Sequence, residues 1–223
     1  MKIGVIGAGF IGRAVAHRAL AAGHEVMLSN SRGPQTMSSV VSGIRGVNVG
    51  SAEDAAHFGD VVLVAIPFEH YRKVPAQWLA GKVLLDANNY YPERDGHFPA
   101  LDRFETTTSR LLAEHFTQSK VVKVFNAIFA TDITEHARPH GAPDRRALPV
   151  AGDDAVAKAQ VISLLDELGF DAVDAGSLDE SWRFERAKPA YCVALDQPGL
   201  KAALAAAERT VELPPVDREH TRA

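Results

Sequence analysis

The sequence predicts an α/β fold, a doubly wound and mostly parallel sheet of about seven or eight strands with C-terminal helices. Two observations predict it. Short runs of Val, Ile and Leu alternate with longer stretches of helical period, and the runs lack polar alternation, as expected of strands covered on both faces. The first run leads straight into Gly7-Ala8-Gly9-Phe10-Ile11-Gly12, a glycine-rich turn that opens a helix.

The elements follow in order. Residues 2–6 form the first strand, and an Ala-rich helix over 10–22 closes at Gly23, a residue suited to the left-handed end of a helix. The second strand is 25–29, with a further short one at 47–49. A short helix at 54–58 precedes the strand 60–66, and 69–79 reads as a helix beginning just after Pro67. Strands at 82–86, 121–125 and 148–151 come next. The helix 153–168 carries Val156, Val161, Leu164, Leu165 and Leu168 and ends at Gly169. After the strand 172–175, a helix over 177–195 opens with Ser177-Leu178-Asp179-Glu180, which has capping-box form. A short helix over 199–210 follows Pro198. Residues 138–146 hold two prolines, a glycine and several charges and read as an exposed loop. Residues 213–223 read as a frayed tail, or an arm ordered against a partner chain.

Composition excludes several classes of function. With 24 Lys+Arg against 28 Asp+Glu the net charge is −4, which argues against a nucleic-acid partner needing a clustered basic face. No apolar run approaches the roughly 18–20 residues that span a bilayer. Gly7 interrupts the N-terminal apolar run too early for a secretion signal, so a cytoplasmic setting is expected. One cysteine, Cys192, allows no internal disulfide, and its place beside Tyr191 favours core packing over nucleophilic chemistry. The nine His show no compact ligand spacing, so no metal site is expected.

The glycine-rich turn is the most informative motif. Following a strand and opening a helix, it has the context of a Rossmann dinucleotide fingerprint. Gly7 permits the tight turn, Gly9 admits a pyrophosphate to the backbone, and Gly12 lets helix and strand pack closely. Amides at Ala8, Phe10 and Ile11 then face the diphosphate, helped by the helix dipole. An NAD site places Asp or Glu about 20 residues on, to hold the ribose 2′-hydroxyl. Here that region reads Asn30-Ser31-Arg32 and contains no acid. A guanidinium pairs with a 2′-phosphate and an acid would repel it, so NADP(H) is the cofactor expected. The bland alternative makes Arg32 a solvated loop residue and Ser31 a turn cap.

Three strand ends supply the remaining candidates, since ligands of open α/β sheets bind beyond the carboxyl ends of strands. The first is Ala65-Ile66-Pro67-Phe68-Glu69-His70. Ile66 and Pro67 run beside the diphosphate and adenosine ribose, and Phe68 packs near the adenine or lines the nicotinamide cleft. Glu69 is either a helix-dipole partner or a ligand group, and His70 is either a surface cap or a cofactor contact. In the second, Asn88 and Asn89 hold the nicotinamide ribose or carboxamide, or simply form a turn. The third places Asn126, Ala127 and Phe129 by the nicotinamide, with Phe125 and Ile128 in the core. The domain reading is one unit over 1–212, with a cofactor core in 1–150, an extension of sheet and helices in 151–212, and the tail 213–223.

Taken together, these stretches resemble the NADP-dependent deazaflavin (coenzyme F-420) reductase family over about residues 1–195. The matching residues are Gly7 to Gly12, Ser31-Arg32, Ile66-Pro67-Phe68-Glu69-His70, Val150-Ala151-Gly152-Asp153-Asp154 and Asp174-Ala175-Gly176-Ser177-Leu178. The resemblance implies that Ser31 and Arg32 hold the 2′-phosphate, that the three strand ends surround the nicotinamide, and that the chain forms a homodimer. A similar module in membrane metalloreductases passes hydride from NADPH to a flavin. The function expected is therefore NADPH-dependent hydride transfer to a flavin-like or quinone-like acceptor. Such transfer needs no obligatory protein acid or base, and the sequence presents no catalytic dyad. Trp182 and Phe184 read as core, or as part of a cover over the acceptor, with Arg183 or Arg186 then holding an anionic substrate. The rival reading is a non-catalytic NADP-binding sensor or partner-binding module.

Overall fold

A computed structural model describes residues 1–214. The chain runs β1 (Lys2–Ile6), α1 (Phe10–Ala21), β2 (Glu25–Ser29), β3 (Asn48–Val49), α2 (Ala52–Phe58), β4 (Val61–Val64), β5 (Val83–Asp86), α3 (Pro92–Asp95), α4 (Pro99–Asp102), α5 (Thr108–His115), β6 (Lys120–Lys123), α6 (Ala130–Glu135), β7 (Ala147–Gly152), α7 (Ala155–Glu167), β8 (Asp171–Asp174) and α8 (Gln197–Ala205). The eight strands form one sheet in the order β3-β2-β1-β4-β5-β6-β7-β8. Strands β1 to β6 are parallel, in the doubly wound order that places a switch point between β1 and β4. β7 pairs antiparallel with β6, and β8 runs parallel to β7. The mostly parallel sheet of the sequence reading is therefore what forms.

The apolar runs are buried on both faces. Ile3, Val5, Val61 and Leu63 pack against α1 on one side, while Val62, Val64 and Leu84 pack on the other against Phe68, Tyr71, Leu112 and Phe116. Burial of such side chains contributes roughly 1.5–3 kcal/mol each. Local signals set several boundaries. Ser51 and Asp54 close a reciprocal capping box at α2, and Asp154 caps α7 by accepting from the Ala157 amide.

Two expected helices do not form. Residues 69–79 are two 3-10 segments, Phe68–Lys73 and Ala76–Leu79. Pro75 separates them: it lacks an amide hydrogen, and its ring drives Val74 to an extended ψ of 116°. Residues 177–195 hold a 3-10 segment, Leu178–Phe184, and then irregular turns. Ser177 makes no side-chain cap; the Leu178 amide donates instead to Asp153. Ala187 and Cys192 take left-handed φ values of 63° and 59° around Pro189, which no continuous helix accommodates. The helix expected at 199–210 begins and ends earlier, because Asp196 caps it and Pro198 sits in its first turn. The short helices α3 to α6 lie outside the sequence expectation.

The loop 138–146 is irregular, but its end is not exposed. Arg145 and Arg146 are each 4% exposed and pair with Asp166, Asp171 and Asp132. Most of the tail expected at 213–223 lies outside the described residues. No helix among the described residues is long and apolar enough to cross a membrane.

Candidate functional site

The carboxyl ends of β1, β2, β4, β5 and β6 gather at one edge of the sheet, and the glycine-rich turn sits at their centre. Gly7 has a φ of 115°, where a side chain is strained, and a Cβ there would overlap the Ala65 carbonyl. A Cβ on Gly12 would overlap the Gly7 carbonyl oxygen, so that glycine brings α1 down onto β1. Nothing stands within 4 Å of a Cβ built on Gly9, which N-caps α1 and opens onto free space. The amides that begin α1 therefore face open space beside Gly9, the geometry an anion requires.

On one side of this turn lies a 480 Å³ cleft. Gly7, Ala8, Gly9, Asn30, Ser31, Arg32, Ala65, Ile66, Pro67 and His70 line it, together with Val40, Ala52, Lys73, Val74 and Trp78. No carboxylate is among the lining residues, while Arg32, Lys73 and His70 bring nitrogen donors. The loop carrying Arg32 is held by its own side chains. Asn30 Oδ1 accepts from the Arg32 amide at 3.0 Å, Asn30 Nδ2 donates to Thr36 at 2.9 Å, and Gln35 donates to the Arg32 carbonyl at 3.0 Å. The Arg32 side chain is thus left for solvent or a ligand.

On the other side lies a 410 Å³ cleft lined by Phe10, Ile11, Asn89, Tyr91, Asn126, Ile128, Phe129, Tyr191 and Cys192, among others. Its polar groups converge. Asn89 Nδ2 donates to the Asn126 carbonyl at 2.9 Å, and Asn126 Nδ2 donates to Asn89 Oδ1 and to the Phe184 carbonyl. Asn126 Oδ1 is buried with no hydrogen-bond partner among the described residues. Tyr91 and Tyr191 share a hydroxyl–hydroxyl hydrogen bond of 2.6 Å. Burial, reinforced by Cys192 and Tyr91, pushes the Tyr191 phenol well above its ordinary value, so it stays protonated.

Three candidates lie behind the cleft walls. Phe68 is fully buried, packs on Tyr71 and Phe98 at ring separations of 4.9 and 5.0 Å, and lines neither cleft. Ala127 is buried among the β7 and α8 side chains. Asn88 is 2% exposed and works as a strut: its Oδ1 accepts from the Ile66 amide at 2.9 Å, and its own amide donates to Asp86.

That strut belongs to a buried ion pair absent from the sequence reading. Lys123 and Asp86 are fully buried and 3.1 Å apart. Lys123 also donates to the Asn88 carbonyl and to Thr108, while Asp86 accepts from Ser109 at 2.6 Å. A charged residue near the end of each of two neighbouring strands was the available signal. Strand register places them side by side, Asp86 opposite Lys123. Lys73 and Trp78 were likewise missed, because a regular helix over 69–79 would not have directed attention to them.

The site's residues suit a dinucleotide. Two clefts flank one glycine turn, one end offers cations without an acid, and the other holds a buried, unpartnered amide oxygen among apolar walls. Comparison with known proteins bears on this. Residues 2–90 match the family model "NADP oxidoreductase coenzyme F420-dependent". A solved hypothetical protein from Sinorhizobium meliloti is 30% identical, with a TM-score of 0.75 over 87% of this chain and 94% of that one. A protein from Arthrobacter sp. FB24, described as a candidate F420-dependent NADP reductase, is also 30% identical, with a TM-score of 0.68 over 80% of this chain and 86% of that one. Metalloreductase STEAP3 of Rattus norvegicus is 31% identical over 79% of this chain but 34% of its own length. The chain thus spans about a third of the metalloreductases it matches. At 16% identity, a 3-hydroxyisobutyrate dehydrogenase from Mycobacterium tuberculosis shares the fold alone, with a TM-score of 0.56.

Proposed function

The chain belongs to the coenzyme F420-dependent family of NADP oxidoreductases, and from that premise we propose that it binds NADP(H) across the two clefts and exchanges hydride with a flavin-like or quinone-like acceptor. The observation that carries this reading is the pairing of a cation-lined, acid-free cleft with an apolar, amide-lined one across a single glycine turn. The first end takes the adenosine 2′-phosphate. Arg32 and Ser31 hold it, with Lys73 and His70 adding donors, and an NAD-type carboxylate is missing. The amides of Ala8, Gly9, Phe10 and Ile11 hold the diphosphate. Asn89 and Asn126 hold the nicotinamide end, where the free Asn126 Oδ1 accepts from the carboxamide. Gly12, Ile66, Pro67 and Asn88 keep the cradle in shape.

NADPH supplies a hydride when bound, so the protein's task is to bring two flat rings within about 3–3.5 Å and keep water out. Phe10 and Phe129 provide the walls. Phe10 is 77% exposed and Val156 is 74% exposed, which leaves room for a second copy of the chain to cover apolar surface, as expected of a homodimer. Sedimentation gives the mass that decides it.

The test is a titration with NADPH followed by its oxidation, read from the loss of its near-ultraviolet absorbance, across F420, FMN, FAD, menadione and ferric chelates. Oxidation with a ring acceptor supports the reading. Tight NADPH binding with no oxidation by any acceptor would make the chain a binding module instead. Arg32→Ala should weaken NADPH by about 10- to 100-fold, matching the roughly 1.5–3 kcal/mol of a charge-assisted hydrogen bond, and leave NADH nearly unchanged. Equal losses for the two nucleotides would remove the 2′-phosphate role.

A further inference from the structure

The second cleft holds a tyrosine pair that nucleotide binding does not use. Tyr91 and Tyr191 both line it, and their hydroxyls are 2.6 Å apart. The Tyr91 ring is enclosed by two guanidiniums, Arg94 at 4.7 Å and Arg186 at 5.0 Å from its centroid. Neither arginine is loose. Arg94 is locked to Asp95 at 2.7 Å, and the Asp95 side chain is fully buried and also accepts from the Tyr91 amide at 2.9 Å. Arg186 is held 3.0 Å from Glu93. Two independent chain segments, one after β5 and one after the Leu178–Phe184 turn, therefore converge on a single phenol.

We propose that Tyr91 is the proton donor to the hydride acceptor, and that the acceptor is accordingly an organic group with a carbonyl oxygen or ring nitrogen that gains an O–H or N–H bond. The inference rests on the oxidoreductase reading above. The balance is simple. The reduced nicotinamide gives up one hydride with its electron pair, the acceptor takes that hydride and one proton, and the proton comes from the Tyr91 O–H bond. Two sets of contacts surround the Tyr91 hydroxyl and its ring. The Tyr191 hydroxyl, kept protonated by burial, lies 2.6 Å from the Tyr91 oxygen, where it can donate once that oxygen has given up its proton, and the Arg94 and Arg186 guanidiniums sit over the ring that carries the charge. Water then restores the proton.

The charged and titratable groups about Tyr91 are few. Its own segment supplies Glu93, Arg94 and Asp95. The facing segment supplies Arg186, Tyr191 and Cys192, with Tyr191 hydrogen-bonded to Cys192. Glu69, whose backbone amide reaches Asp95, is the nearest acid contributed by the segment after β4. Glu93 is answered by Arg186 and Asp95 by Arg94, so the two cations are oriented by their acids. A bare ferric ion would need no such donor, and this separates the proposed acceptor class from metal reduction.

The decisive substitution is Tyr91→Phe, which keeps the ring and both stacked guanidiniums and removes the hydroxyl. With menadione as acceptor, turnover should fall by about 100-fold or more, the usual share of a positioned acid, while NADPH affinity measured by fluorescence stays the same. A second readout needs no turnover. The infrared carbonyl stretch of menadione bound to the NADP⁺ complex should move to lower frequency in the unsubstituted protein and return toward its free value in Tyr91→Phe. Tyr191→Phe should give an intermediate loss of rate. Unchanged turnover in Tyr91→Phe, or a carbonyl stretch that does not move on binding, overturns the assignment. If the unsubstituted protein reduces no acceptor, the oxidoreductase reading fails by itself, and the infrared shift still decides whether Tyr91 donates a hydrogen bond.

Discussion

Gly9 and Gly12 sit three residues apart in one motif and do opposite things. A methyl group on Gly9 meets nothing in the protein, and the residue has an ordinary φ of −71°. A methyl group on Gly12 collides with backbone. Gly9→Ala should therefore fold with unaltered stability yet weaken NADPH by tenfold or more, since about 1.4 kcal/mol of lost diphosphate contact suffices. Gly12→Ala should instead cost roughly 1–3 kcal/mol of stability, because α1 must move off β1. Urea unfolding and a nucleotide titration on the two variants check this; the pattern reversed would show that the cradle is misassigned. Asn88 makes a related point. Sequence reading offered it as a ligand or a turn former, and the structure uses its side chain to hold the Ile66 amide.

Among the elements, the buried Lys123–Asp86 pair joins β5, β6 and the start of α5 and braces the Ile66-Pro67 turn through Asn88. A buried pair of this kind is weak evidence of net stability, but breaking it strands a charge. Lys123→Met should cost about 3–5 kcal/mol in urea unfolding. Replacing both partners together, Asp86→Leu with Lys123→Met, should recover much of that loss. A single substitution that costs nothing would mean Asp86 is satisfied by Ser109 and the Asn88 amide alone. The segment 69–79 teaches the converse lesson. Its composition suits a helix, but Pro75 breaks it into two turns, and this carries Lys73 and Trp78 to the cleft wall.

For the molecule as a whole, stability should fall on acidification. Ser51 holds the Asp54 carboxyl below its ordinary range, Tyr90 does so for Asp102, and His140 with Arg145 for Asp166. A folded-state pKa below the unfolded one means a contribution present above the ordinary carboxylate value of 3.8 and lost as pH falls through the depressed value. His24 is also lowered, by burial above all, against the pull of Glu167. Its contribution is present above 6.5 and fades as pH falls below it, since protonation then favours the unfolded chain. Thermal unfolding across pH should show Tm declining first below about 6.5 and again below about 4. His24→Gln should abolish the first step. A Tm that rises on acidification would contradict both.

What the sequence determined by itself was local. The apolar runs specify strands because a sheet covered on both faces needs apolar residues without alternation, and every expected strand is present. Gly7 and Gly12 were legible because steric demand on a backbone admits glycine alone. What only the tertiary structure decided was non-local. The meeting of Asp86 with Lys123, of Tyr91 with Tyr191 one hundred residues on, and the retreat of Phe68 into the core all depend on which strand ends lie side by side and which face a residue takes. Side-chain period and steric exclusion act within a few residues and so are written in the sequence, whereas charge pairing and cleft shape act through space and exist only once the sheet has closed its register.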